Sequence, residues 1–205
     1  MSKLEIEKKW DTLSNEVGLE KNLFSQFLYW YTTPYRAYHN LIHINNCLDE
    51  FSEIKNFLSS KHEIELAIWF HDAIYDPYSK NNEKKSAELS YEILREQGLA
   101  ESFIKKVSSY ILATKHEKLF KDEDTKFLVD IDLSIFGKSK EEFDKYEKQI
   151  GQEYSRISLE KFNNGRAIIV KRFLDRAHIY QTDFFRQKYE IKARENLERS
   201  LSKLI

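Results

Sequence analysis

Six histidines occur in the 205 residues, and four stand in short segments whose residue types suit chemistry: His39 and His43 in Y-H-N-L-I-H-I, His71 in W-F-H-D and His116 in A-T-K-H. If their segment is helical, His39 and His43, four apart, project from one face and two imidazoles address one site. His71 and Asp72 are neighbours, about 100° apart on a helix, so together they serve only something lying beside it, and a metal ion meets that need. The pair follows the apolar run Ile64 to Phe70, where a carboxylate is costly unless a cation or donor compensates it. Asp132 stands likewise inside the apolar V-D-I-D-L-S-I-F segment. Asp130, two positions earlier, is expected to face elsewhere, leaving Asp132 as the inward acid.

Histidine and aspartate without cysteine suit borderline or hard divalent ions, Mn²⁺, Fe²⁺, Mg²⁺, Co²⁺ or Zn²⁺, and disfavour a closed thiolate site. Three or four protein ligands leave positions for water and substrate. Water on such an ion ionises near neutral pH, so hydrolysis is the natural chemistry. Other residues keep two readings. His39 is either a working imidazole or a ring tied to a backbone carbonyl near a helix start, with Asn40 as the N-cap. Asn82 and Glu83 either cap a helix and favour its dipole or orient water and substrate, which makes Glu83 a candidate catalytic group and Asn82 a candidate substrate contact. Arg36, Lys115 and Arg166 each neighbour a motif and are candidate phosphate contacts, against the reading of a solvated side chain.

These residues must be positioned by helices. Five glycines and two prolines are few for the length, and strand-like alternation is almost absent. Apolar residues recur at three- to four-residue steps through Leu41, Ile44, Leu48, Phe51 and Ile54, then Ile64, Ala67 and Ile68, then Phe103, Val107, Tyr110 and Ile111, then Phe127, Leu128, Ile131 and Ile135. Breaks are expected at Thr33-Pro34, Ser59-Ser60, Asp76-Pro77, Gly98, Gly137 and Asn163-Asn164-Gly165. The pattern predicts an all-α bundle of eight to ten helices forming one domain over residues 1–205. The charged stretch from Phe184 to Leu204, with Phe185, Tyr189, Ala193, Leu197 and Leu201 at four-residue steps, predicts a last helix laid along the body or a contact in a homodimer.

The order His43, His71-Asp72, Asp132 resembles the H…HD…D signature of the HD superfamily of metal-dependent phosphohydrolases. The likeness is closer still to its uncharacterised bacterial branch of about 200 residues, and it runs through N-E-K-K-S-A, D-L-S-I-F-G, Q-E-Y and G-R-A-I-I-V-K-R-F-L. The chain departs from that branch at Gly151, where relatives carry an arginine ahead of Q-E-Y. The resemblance implies a single HD-type helical domain, with His43, His71, Asp72 and Asp132 holding one divalent ion. Two-metal members imply a second ion, bridged by Asp72 and held by His116, against the reading of His116 as an exposed residue. Y-H-N-L-I-H and D-L-S also resemble segments of cyclic-nucleotide phosphodiesterases, which implies that His39 donates the proton to the leaving oxygen. The implied activity is hydrolysis of a phosphomonoester or phosphodiester, a nucleotide or related small metabolite. The rivals are an HD-fold oxygenase and a non-catalytic metal- or nucleotide-binding sensor module.

Composition narrows the partners. Lys plus Arg (33) balances Asp plus Glu (34) without a basic stripe, so no nucleic-acid polymer or anionic membrane is expected. The N-terminus lacks a signal-peptide core, and no apolar run approaches the ~20 residues of a membrane span. Cys47, the one cysteine, fits a reducing compartment. These features predict a soluble, cytoplasmic protein with a small phosphorylated substrate.

Overall fold

The computed structural model describes residues 3–204; among them it holds ten α-helices and no strand. The chain divides into two compact units, residues up to 118 and residues from 119. Among the described residues, no helix is long and apolar enough to cross a membrane.

The first unit contains α1 (Lys3–Val17), α2 (Leu23–Tyr31), α3 (Leu41–Ile54, followed by a 3-10 turn, Lys55–Phe57), α4 (Lys61–Phe70), α5 (Asn82–Glu96) and α6 (Glu101–Ala113). Its organising element is α4. Ile64, Leu66, Ala67, Ile68, Trp69 and Phe70 are all buried, and a helix apolar on every side is stable only when other helices surround it. α1, α3, α5 and α6 all pack on it. At its C-terminal end Trp69 and Phe70 join Trp10 of α1 and Phe27 of α2 in edge-to-face contacts, with ring centroids 5.4 Å apart for Trp10–Trp69 and 4.9 Å for Phe27–Phe70. Such pairs add stability beyond the area they bury. The end of α4 is therefore a rigid part of the unit.

The second unit contains α7 (Glu123–Asp132), a 3-10 turn (Leu133–Gly137), α8 (Lys140–Glu153), α9 (Leu159–Leu174) and α10 (Asp183–Leu204). Its helix starts carry local signals. Asp122 caps α7 through Thr125 N, Ser139 and Glu142 form a reciprocal capping box on α8, and Ser158 caps α9 through Lys161 N. α10 packs on α9 and on the 3-10 turn, burying Phe185, Tyr189, Ala193 and Leu197 as their four-residue spacing predicts. The expected break at Asn163-Asn164-Gly165 is not there, because all three lie inside α9. The Ser158 cap and the buried series Arg166, Val170 and Phe173 outweigh the ~1 kcal/mol that one exposed helical glycine costs. Gly98, in contrast, ends α5 with φ +78°, in the left-handed region that glycine adopts without strain.

Gly137 is needed for closeness. A Cβ there would lie 2.4 Å from the Tyr189 Cβ and 2.7 Å from its Cγ, atoms near the backbone of α10 that cannot swing aside. Gly137→Ala should lower stability by about 1–3 kcal/mol, read as a fall in the urea midpoint with helicity retained. In the first unit, burial, with the nearby Glu16 carboxylate adding to it, pushes the Glu65 carboxyl up from 4.5 to about 7. Its folded value exceeds its unfolded value, so this contribution to stability is complete below pH 4.5 and lost as pH rises through 7. Glu65→Gln should thus stabilise the chain at pH 8 by about 2 kcal/mol, after discount for partial exposure, and change little at pH 4; an equal gain at both pH values in chemical denaturation would disprove the burial argument.

Candidate metal centre

Two local structures build the centre in the first unit. The first is the start of α3. Asn40 is extended and its side-chain oxygen accepts from Ile42 N at 2.8 Å, so it is the N-cap that its sequence position suggested. The cap leaves His39 outside the helix. His39 and His43 consequently do not share a helical face, and the four-residue spacing argument fails for this pair. They are nevertheless neighbours, with ring centroids 6.0 Å apart, because the cap turns the chain back toward the first helical turn. His39 is half-buried and stacks on Tyr75, centroids 4.1 Å apart, while Tyr38 lies edge-on to it at 5.1 Å. His43 is buried at 3% exposure, with the Cys47 sulfur 3.8 Å from both its ring nitrogens.

The second is the end of α4. The helix closes at Phe70 and His71 is its C-cap. The His71 Nδ1 donates to the Ile68 carbonyl at 2.9 Å, which leaves the Nε2 lone pair for another partner, the arrangement that metal-bound histidines use. That Nε2 lies 3.1 Å from the Nε2 of His43 and 3.1 Å from Oδ2 of Asp72, and His43 Nε2 is 3.6 Å from the same oxygen. Ligands about 2.0–2.2 Å from an ion stand about 3–3.6 Å from one another. The three donor atoms therefore fit one divalent cation. Burial opposes ionisation of Asp72, yet the charges of His71 and His39 and the hydrogen bond from His71 hold its carboxyl well below the usual carboxylate range. An ionised oxygen beside two imidazole nitrogens at these distances calls for positive charge among them, from protons on the rings or from a cation in their place. His43, His71 and Asp132 have the donor types and burial that a metal ion takes.

The remaining sequence candidates are placed as follows. Arg36 is buried, and its guanidinium donates to main-chain carbonyls; it is not the solvated side chain of the alternative reading. Asn82 opens α5 and clips the preceding loop, accepting from Asp76 N and donating to Asp76 O. Glu83 follows it in the first helical turn, half-buried. Lys115 is exposed and pairs with Glu117 at 2.9 Å, which raises its pKa, and Glu83 adds to that rise. His116 is half-buried just past α6 with φ +56°, where its N–H closes a turn on the Ala113 carbonyl. In the second unit Asp132 ends α7 half-buried. Asp130 is the more deeply buried of the two acids, while Asp132 is the one that, with His43 and His71, has the donor type of a metal ligand, as expected. The Asp130 carboxylate accepts from Gln181 N, Thr182 N and the Thr182 hydroxyl, fastening the start of α10. Arg166 is buried too, bonded to Glu147 and Tyr146, rather than solvated.

Spacing did not disclose Tyr38, Tyr75 or Cys47, although all three touch the histidines. Their signal was adjacency alone: Tyr38 precedes His39, Tyr75 follows Asp72 by three, and Cys47 lies one turn beyond His43. No protein-family model, curated protein or solved structure matches this chain.

A ligand that binds only the folded chain raises its melting temperature. Titration with Mn²⁺ or Co²⁺ should therefore raise the melting temperature of the wild type, and a chelator should reverse the rise. Asp72→Ala should keep the helical circular dichroism and lose both the shift and the bound metal; stoichiometric metal on purified Asp72→Ala would remove Asp72 from the ligand set.

Proposed function

We propose that the chain is a metal-dependent phosphohydrolase of HD type, acting on a phosphomonoester or phosphodiester such as a nucleotide or related small metabolite. The observation that carries this reading is the meeting of His43 Nε2, His71 Nε2 and Asp72 Oδ2 within 3.6 Å, with the His39 ring beside them. Asp132 is the fourth ligand on the strength of the H…HD…D order. A bound divalent ion supplies a Lewis acid for the phosphoryl oxygens and a water acidic enough to attack near neutral pH.

The chain's own groups do the rest. The Ile68 carbonyl holds the His71 proton at Nδ1 and so keeps Nε2 for ligation. His39, fixed against Tyr75, carries a ring proton for the oxygen of the leaving alcohol. Glu83 orients water or substrate from the first turn of α5. Asn82 acts through the loop it clips, and Lys115, exposed and within electrostatic reach of Glu83, is the phosphate contact. His116, together with Asp72, would hold a second ion if one binds; anomalous scattering from Mn²⁺-loaded crystals would show two peaks in that case and one if His116 serves only the turn after α6.

A phosphate-release screen over nucleotides and small phosphoesters with several divalent ions tests the activity. General acids contribute ~10²–10⁴-fold where the leaving group is poor. His39→Asn should thus lose that much turnover on an alkyl or nucleoside phosphate, lose far less on p-nitrophenyl phosphate, and retain metal. Equal losses on both substrates would make His39 a positioning or ligating group. Absence of any turnover by the metal-loaded wild type would favour the sensor module.

A further inference from the structure

From the contacts of Arg36 we infer that it is a positioning residue: its guanidinium ties the His39 loop to the His71–Asp72 turn and sets the proton donor against the metal ligands. The inference rests on the hydrolase reading only for its catalytic consequence. Arg36 is 6% exposed. One terminal nitrogen donates to the Asp72 carbonyl at 2.6 Å and to the His39 carbonyl at 3.1 Å, and the other donates to the Ala73 carbonyl at 2.9 Å. Its central carbon lies 5.1 Å from the Tyr31 ring centroid and 5.5 Å from that of Tyr75. Tyr75 is the ring on which His39 stacks.

The chemistry explains why arginine stands here. α4 ends at Phe70, and the carbonyls after a helix end have lost their intrahelical donors and carry partial negative charge. A cation satisfies them, and a planar guanidinium can reach two successive carbonyls and a third from another segment at once. Ordinary C-capping would need only the first two. The third bond, to His39, and the shared contact with Tyr75 extend the grip to the loop that carries the proton donor. The arrangement also has a cost, since the Arg36 Nε is buried without a partner and an unsatisfied buried donor is destabilising. A residue present for stability alone would gain from a pose that satisfied Nε. Here the terminal nitrogens are spent on three backbone points that bracket the site.

The test uses the full chain and begins without metal. Histidine-ring ¹H–¹⁵N spectra of Arg36→Lys, which keeps the charge and loses the fork, should shift the signals of His39, His43 and His71 and leave those of His62 and His178 in place. Co²⁺ titration followed by visible absorption should then show about a 10-fold or greater loss of affinity, the size expected when groups supporting a ligand are removed. In turnover, Arg36→Lys should reproduce the selective loss on poor leaving groups seen for His39→Asn, and the double variant should lose no more than His39→Asn alone on that count. Should Arg36→Lys fail to fold, Tyr75→Leu breaks the same bracket from its half-buried side and should move the same three ring signals. Unchanged ring signals overturn the inference, as do shifts spread equally over all six histidines. Shifted rings in a wild type that hydrolyses no phosphoester leave the bracket standing and reject the hydrolase reading alone.

Discussion

Asp72 is a carboxylate at the end of a helix whose other residues from Leu66 to Phe70 are all buried, and the cost of keeping it ionised there governs its surroundings. No N–H of its own helix compensates a group in that position, because a helix C-terminus presents carbonyls. Its compensation comes from the histidines: His71 in sequence, His43 from the first turn of α3, and His39 from the loop before it. Three chain segments must converge on one carboxylate. That requirement explains why α3 packs directly on α4, and why polar side chains are found inside an otherwise aromatic and aliphatic unit.

Convergence needs rigidity, and each part of the first unit supplies some. Trp10, Phe27, Trp69 and Phe70 lock the end of α4 in edge-to-face contacts, the Tyr31 hydroxyl donates to the Trp69 carbonyl at 2.8 Å, and Arg36 takes the carbonyls that follow. The carbonyls of Trp69, Asp72 and Ala73 thereby find donors outside the cluster, while the Ile68 carbonyl takes the Nδ1 proton of His71. His43, His71 and Asp72 are left to face one another. Asp130 in the second unit solves the same problem differently, since its buried carboxylate meets two backbone N–H groups and a hydroxyl. Of these two buried acids, only the one set among imidazoles has the chemistry of a metal ligand.

What could be read from the sequence followed from this contrast. The helices were legible because apolar periodicity reports burial, and Asn40 because a cap is a local signal. Asp72 stood out as a charge placed after the apolar run Ile64 to Phe70, whereas His43 and His71 stood out through the short segments that hold them. Asn163-Asn164-Gly165 misled because turn-forming residues say nothing of the cap and core that hold α9 together across them. His39 was read onto a helix that its own neighbour caps off. The role of Arg36 left no trace, since its partners are backbone carbonyls, which every residue has. Asp130 and Asp132 looked alike in V-D-I-D, and their difference depends on Gln181 and Thr182, about fifty residues away.

The same cluster places proton and metal in competition. Asp72 oxygen and two imidazole nitrogens within 3.6 Å call for positive charge among them, which ring protons or a cation can supply. A divalent ion held there would take the place of ring protons, so its binding would release protons and strengthen as pH rises. The Ile68 carbonyl biases the outcome, because it fixes one proton of His71 at Nδ1 and leaves Nε2 as the position that is contested. Arg36 adds a permanent charge that no proton can leave, on the carbonyl side of Asp72 rather than beside its carboxylate. It grips the turn from the backbone side and leaves the space between the imidazoles and the carboxylate unfilled, so a buried cation and a cluster able to take a cation can share adjacent residues.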